Sequence, residues 1–123
     1  MTVTISLPLP HKHLSPNSRC HWRAKAKAVK AYRAQAGLEV MAETCGERWL
    51  WKAASVVCRF YFKDIRRRDA DNLLASMKSA FDGLADAGLV ENDAAFTYMP
   101  VQQAKDKTNP RVEIAIERKD GVK

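Results

Sequence analysis

Residues 66–93 read RRRDADNLLASMKSAFDGLADAGLVEND, running from Arg66 to Asp93. The parsing of that stretch decides the fold. Leu74, Met77, Phe81 and Leu84 recur at helical spacing, which predicts a helix over 70–87, closed by Gly88. Asp71, Lys78 and Asp82 fall on a separate row, because steps of seven and eleven residues return to nearly the same azimuth. Asp71 and Lys78 are thus expected to look into one site from two turns of one helix. Asp69 precedes the helix, where the chain is extended and alternate side chains point the same way.

Two carboxylates one residue apart repel each other unless a positive group lies between them. A divalent cation relieves that repulsion, and the arginines before the pair suit a polyanion. A metal beside a polyanion groove points to phosphodiester chemistry. A plainer reading stands beside it. Aspartate is a favoured N-cap and is welcome in a first turn, and Lys78 with Asp82 makes an ordinary i, i+4 surface pair. Capping alone, however, does not need two aspartates behind three arginines.

Asp93 would be a third carboxylate, and chain geometry limits it. A helix over 70–87 is about 26 Å long. The residues after Gly88 can return at most about 17 Å. Asp93 therefore meets Asp71 only if the chain folds straight back, if the helix is shorter, or if a second subunit supplies it.

Around this stretch the alternating Val3, Ile5 and Leu7 predict a half-buried strand over 2–7. Prolines 8, 10 and 16 then make residues 8–18 a loop holding His11, His13, Asn17 and Arg19. A helix is expected over 18–43, with Trp22, Val29, Ala36 and Val40 as its apolar side. Arg23, Lys27 and Lys30 form a basic row on it, either a phosphate-facing ridge or a solvated face. Gly37 marks a kink and Gly46 the end of that helix. A central strand is expected over 54–62, and two more over 96–103 and 111–117, joined by a polar turn at 105–110. The last residues read as a frayed charged tail. The order β-α-β-α-β-β makes a single small α+β domain with a mixed sheet covered by helices.

The 123 residues carry 21 Lys+Arg against 14 Asp+Glu, a net charge of +7, which favours an anionic partner, nucleic acid first. No apolar run is long enough to span a bilayer and no secretory leader is visible, so the cytoplasm is the expected compartment. Cys20, Cys45 and Cys58 match no metal spacing with the three histidines.

RRRDADNL, then K-x-x-F-D-G-L-x-x-A-G, then an acidic cluster, resembles the RusA family of Holliday-junction resolvases, crossover-junction endodeoxyribonucleases of bacteria and their phages. Arg67, Arg68, Asp69, Asp71, Asn72, Lys78, Asp82, Gly88 and Asp93 fall on family positions. The N-terminal strand leads into a proline-rich segment ending in Asn17 and Arg19, as family members do. The resemblance implies a homodimer that binds four-way DNA junctions and nicks two strands symmetrically with Mg²⁺ or Mn²⁺. It implies Asp69, Asp71, Asp93 and Lys78 as catalytic groups, with the three aspartates holding metal. Arg66, Arg67, Arg68, Arg19, Arg23, Lys27, Lys30 and Asn72 are the expected DNA contacts. The alternative is a relative of the same fold that binds branched DNA more broadly, or without cutting it. Three features depart from the family pattern. Lys78 lies one helical turn further from the D-x-D pair than in some members, Asn92 stands where a second aspartate can sit, and the N-terminal loop is longer.

Overall fold

The computed structural model describes residues 1–66 and 68–120. Arg67, one of the arginines expected at DNA, lies outside the described residues, as do residues 121–123 of the expected tail. The first strand, β1 (Thr2–Leu7), buries Val3, Ile5 and Leu7 and turns its threonines outward, as the alternation requires. The proline segment holds one short 3-10 turn, Lys12–Leu14, which seats Leu14 in the core.

Helix α1 (Trp22–Thr44) starts later than expected because His21 caps it: the Arg23 N–H donates to His21 Nδ1 at 3.1 Å. Val40 and Ala36 are fully buried, and Tyr32 joins them. Trp22 departs from the expected apolar side. It lies at the helix start, beyond the packed part, and is 68% exposed.

Strand β2 (Ala54–Phe62) is central as expected. It buries Ala54, Val56, Cys58, Phe60 and Phe62, and it pairs antiparallel with β5 (Arg111–Arg118) on one side. On the other side it pairs parallel with β3 (Phe96–Tyr98) and β4 (Gln102–Lys105). Strand β1 pairs antiparallel with β5, so the sheet runs β1-β5-β2-β3, with β4 also on β2.

The strand expected over 96–103 is therefore two strands. Val57 and Cys58 of β2 face three residues, Met99, Pro100 and Val101, between the Val56–Tyr98 and Arg59–Gln102 pairs. Pro100 has no N–H to give the ladder, so the extra residue is extruded there. The polar turn after β4 is built on Asp106, whose Oδ1 accepts from the Thr108 and Asn109 N–H groups.

The helix expected over 70–87 is also two: α2 (Ala70–Ala75) and α3 (Lys78–Asp86). The Ser76 hydroxyl donates to the Leu73 carbonyl at 2.6 Å, and the Met77 N–H makes a tight bond to the Leu74 carbonyl. Both contacts pull the chain off the α-helical path. Met77 is fully buried, with Tyr32 Oη 3.6 Å from its sulfur, so tertiary packing holds the break.

Helices α1 and α3 cover one face of the sheet, and the alternate residues Val57, Arg59 and Tyr61 leave the other face open. The helices touch backbone to backbone. A Cβ on Gly83 would fall 2.2 Å from the Arg33 carbonyl oxygen, and one on Gly37 would meet the Gly83 carbonyl at 3.3 Å. Gly37 is thus part of a helix crossing and not of a kink, because α1 runs unbroken through it. Gly88 closes α3 in the left-handed region (φ 84°), donating to the Ala85 carbonyl. The following chain is drawn back along α3 by a parallel bridge between Trp51 and Val90.

Candidate active site

The returning chain delivers a 3-10 turn, Asp93–Ala95, capped by Asn92, whose side-chain oxygen accepts from the Ala94 N–H at 2.9 Å. Asn92 thus has a local task at the position where the family pattern can carry a charge. That turn puts Asp93 beside the first turn of α3. Lys78 Nζ donates to Asp93 Oδ2 at 3.0 Å and to Asp82 Oδ1 at 2.8 Å, so one ammonium joins two carboxylates. Asp93 reaches Lys78 within its own chain because α3 is short and the chain doubles back along it.

Electrostatics follow from those contacts. Asp82 first, then Asp93, push the Lys78 ammonium above its ordinary lysine value. Lys78 in turn holds the Asp93 carboxyl below the usual range. At neutral pH the group is a stable cation between two anions.

Asp69 and Asp71 lie at the start of α2. Asp69 is the N-cap of α2: its Oδ1 accepts from the Asp71 N–H at 2.9 Å and the Asn72 N–H at 3.3 Å. The capping reading of Asp69 therefore holds, whatever else its second oxygen does. Asp71 stands exposed in the first turn. Asp71 and Lys78 do not belong to one helix, so the azimuth argument does not carry across the break. Lys78 lies seven residues beyond Asp71, across the break between α2 and α3. Among the described residues no three of the His, Cys, Asp and Glu side chains gather closely enough to hold a metal ion. The donor types of Asp69, Asp71 and Asp93, exposed carboxylate oxygens, match a hard cation such as Mg²⁺.

The arginine run divides. Arg66 keeps its side chain 75% exposed. Arg68 is largely spent inside the protein: its guanidinium donates to Asp64 and to the Arg66 carbonyl and lies 3.7 Å over the Phe62 ring. It braces the loop that delivers Asp69. Asp64 is held below its ordinary value by the Arg66 N–H and then by Arg68. On α1, Arg23, Lys27 and Lys30 are exposed, as is Arg19 before it, while Asn72 is half-buried.

Two site residues escaped the sequence reading. Arg33 binds Asp86 through two parallel hydrogen bonds, Nε to Oδ2 and Nη2 to Oδ1, and its Nη1 lies 3.9 Å from Asp82. It shares with Lys78, Asp82 and Asp93 an open cleft of about 480 Å³. Lys25 lines a neighbouring hollow with Ser76, Lys78, Ser79 and Asp82. Lys25, Val29 and Arg33 recur every fourth residue, a row that faces α3 and that the interleaved Arg23, Lys27 and Lys30 row had obscured.

No cysteine enters this site. Burial pushes the Cys58 thiol up to about 12, which leaves it inert as a nucleophile. No helix of the described residues is long and apolar enough to cross a membrane.

The chain is a basic α+β protein with carboxylates bridged by a lysine of α3 and an arginine-bearing loop before α2. The endodeoxyribonuclease RusA family matches residues 10–117, most of the chain. The protein belongs to that family, and with it to the nucleases. It is also 38% identical over 119 residues to an uncharacterized protein of Xylella fastidiosa (strain Temecula1 / ATCC 700964). That match spans 92% of this chain and 74% of the relative.

Proposed function

We propose that the protein is a metal-dependent endodeoxyribonuclease that resolves four-way DNA junctions by paired, symmetric nicks, acting as a homodimer in the cytoplasm of a bacterial or phage-infected cell. The observation that carries this reading is the ammonium of Lys78 held between Asp82 and Asp93 at an exposed cleft, in a chain of the RusA family. Asp69, Asp71 and Asp93 offer the hard oxygen donors that Mg²⁺, or Mn²⁺ as a substitute, takes, and would have to draw together around the ion to hold it. When bound, the metal would supply a water of lowered pKa and neutralise charge building on the phosphate.

The chain's own residues do the rest. Lys78 keeps its proton at neutral pH, because both neighbouring carboxylates favour the charged form, so it stabilises phosphate charge and does not act as a base. Asp69 stiffens the start of α2 and so fixes where Asp71 stands. Arg66, Arg67, Arg19, Arg23, Lys27, Lys30 and Asn72 meet backbone phosphates, and Arg68 braces the loop before α2. Recognition through phosphates reads shape rather than base sequence, and binding then weakens steeply with salt. Two-fold symmetry supports the dimer, since a four-way junction presents two equivalent strands to cut.

The test compares wild type with Asp71→Asn on a labelled four-way junction and a matched linear duplex, with and without Mg²⁺. Wild type is expected to cut the junction in symmetric pairs only with metal, while the variant binds normally and loses on the order of a thousandfold or more in cleavage rate. If both proteins bind and neither cuts, the protein is a branched-DNA-binding module and the aspartate pair is a helix cap.

A further inference from the structure

We propose that Asp82 is a positioning residue for Lys78, the fixed anchor that keeps the ammonium at the Asp93 carboxylate. This rests on the nuclease reading above and deepens it.

Three observations on different elements converge on Asp82. First, it is the least exposed member of the bridge: its side chain is 24% exposed, against 63% for Lys78 and 49% for Asp93. Second, its two oxygens face different cations. Oδ1 accepts from Lys78 Nζ at 2.8 Å, and Oδ2 lies 3.9 Å from Arg33 Nη1 on α1. Arg33 is itself locked onto Asp86, so the carboxylate is braced from the neighbouring helix. Third, Asp82 stands on the packed part of α3, between the buried Phe81 and the Gly83 crossing. A carboxylate flanked by packed residues and braced by Arg33 has the fixed placement that a support for a reacting group requires.

Lys78 has the opposite character, a flexible four-carbon stem that is mostly exposed. With Asp93 alone as its partner, it would have to compete for that carboxylate with any cation Asp93 binds. Asp82 removes the conflict by holding the ammonium in place when Asp93 is engaged elsewhere. Around the bridge, Lys25 from α1, Asp86 from α3, Glu91 and Asn92 from the returning chain and Tyr98 from β3 complete the surroundings. Lys78 bonds directly only to Asp82 and Asp93 among the described residues.

An ordinary i, i+4 surface pair would leave activity untouched when removed, and that difference is measurable. The full chain is prepared as wild type, Asp82→Ala and Asp82→Glu. Junction cleavage is followed with Mg²⁺, junction binding without metal, and thermal unfolding alongside. The reactivity of Lys78 toward acetic anhydride is read by mass spectrometry relative to that of Lys30. Asp82→Ala is expected to lower kcat on the order of tenfold or more with KM and metal-free binding nearly unchanged, and Asp82→Glu to recover most of the loss. Lys78 labelling should rise several-fold in Asp82→Ala and return toward wild type in Asp82→Glu. Wild-type cleavage and labelling in Asp82→Ala overturn the proposal. So does a loss of kcat that tracks a fall in unfolding temperature and is not rescued by glutamate. If wild type itself never cuts with Mg²⁺ or Mn²⁺, the nuclease reading fails, and the labelling arm still decides whether Asp82 tethers Lys78.

Discussion

Helices α2 and α3 come from one run of helical sequence, yet α3 buries Ser79, Ala80, Phe81, Gly83 and Leu84, while α2 only half-buries Leu73 and Leu74 against the core. The two halves hold their carboxylates by different means. Asp69 is placed by its own backbone, through a cap closed within three residues. Asp82, Asp86 and Asp93 are placed by tertiary contacts, through Lys78, Arg33 and the crossing with α1. The lesson is that one acidic constellation contains a locally encoded half and a packing-encoded half. Each half responds to a different perturbation.

The sharpest separation comes from the helix crossing. Gly83→Ala forces a methyl group into the Arg33 carbonyl, where a rigid backbone cannot yield. Destabilisation of about 3 kcal/mol is expected by chemical unfolding. The Lys78 bridge should weaken with it, while the cap at Asp69 persists. A Gly83→Ala protein as stable as wild type would mean that the two helices do not meet this closely.

A smaller effect distinguishes the cap from the chemistry within α2. Asp69→Ala removes the cap and costs about 1 kcal/mol or less, because no residue of α2 is fully buried. Asp69→Ser keeps a capping oxygen without the charge. If Asp69 serves DNA cleavage, both variants lose activity although only Asp69→Ala loses helix stability. If the residue is only a cap, Asp69→Ser cleaves like wild type.

The smallest effect is electrostatic. Hydrogen bonds from Arg33 hold the Asp86 carboxyl below its ordinary value. A depressed folded-state pKa adds stability above the unfolded value and loses it as pH falls through the folded one, so the loss belongs below about pH 4. Thermal unfolding across that range should fall less steeply for Asp86→Asn than for wild type. The difference is modest, because both partners are exposed and solvent screens the pair. An identical slope would assign acid sensitivity to other carboxylates.

Much of the architecture was legible in the sequence. Strands β1 and β2 match their expected limits residue for residue, because alternation along a half-buried strand leaves little freedom. The breaks were harder. Ser76 sits in the middle of an apolar helical pattern and Pro100 in the middle of a strand pattern, and each divided its element. Both signals were present, as a hydroxyl able to bond back to a carbonyl and a residue without an N–H, but periodicity outweighed them. Arg33 gave no signal by itself, since its partners lie about 50 residues downstream on another helix.

What the sequence determined by itself is therefore the α+β class, the sheet-forming segments, the family and the residues that carry charge. Alternation, capping chemistry and a specific motif are all properties of neighbours along the chain. Only the tertiary structure decided that the helix divides at Ser76–Met77, that α1 and α3 touch through glycine, and that Asp93 meets Lys78 in its own chain. Those outcomes depend on which backbone surfaces can approach each other. Steric fit of that kind arises only after distant segments have packed, and no spacing along the chain encodes it directly.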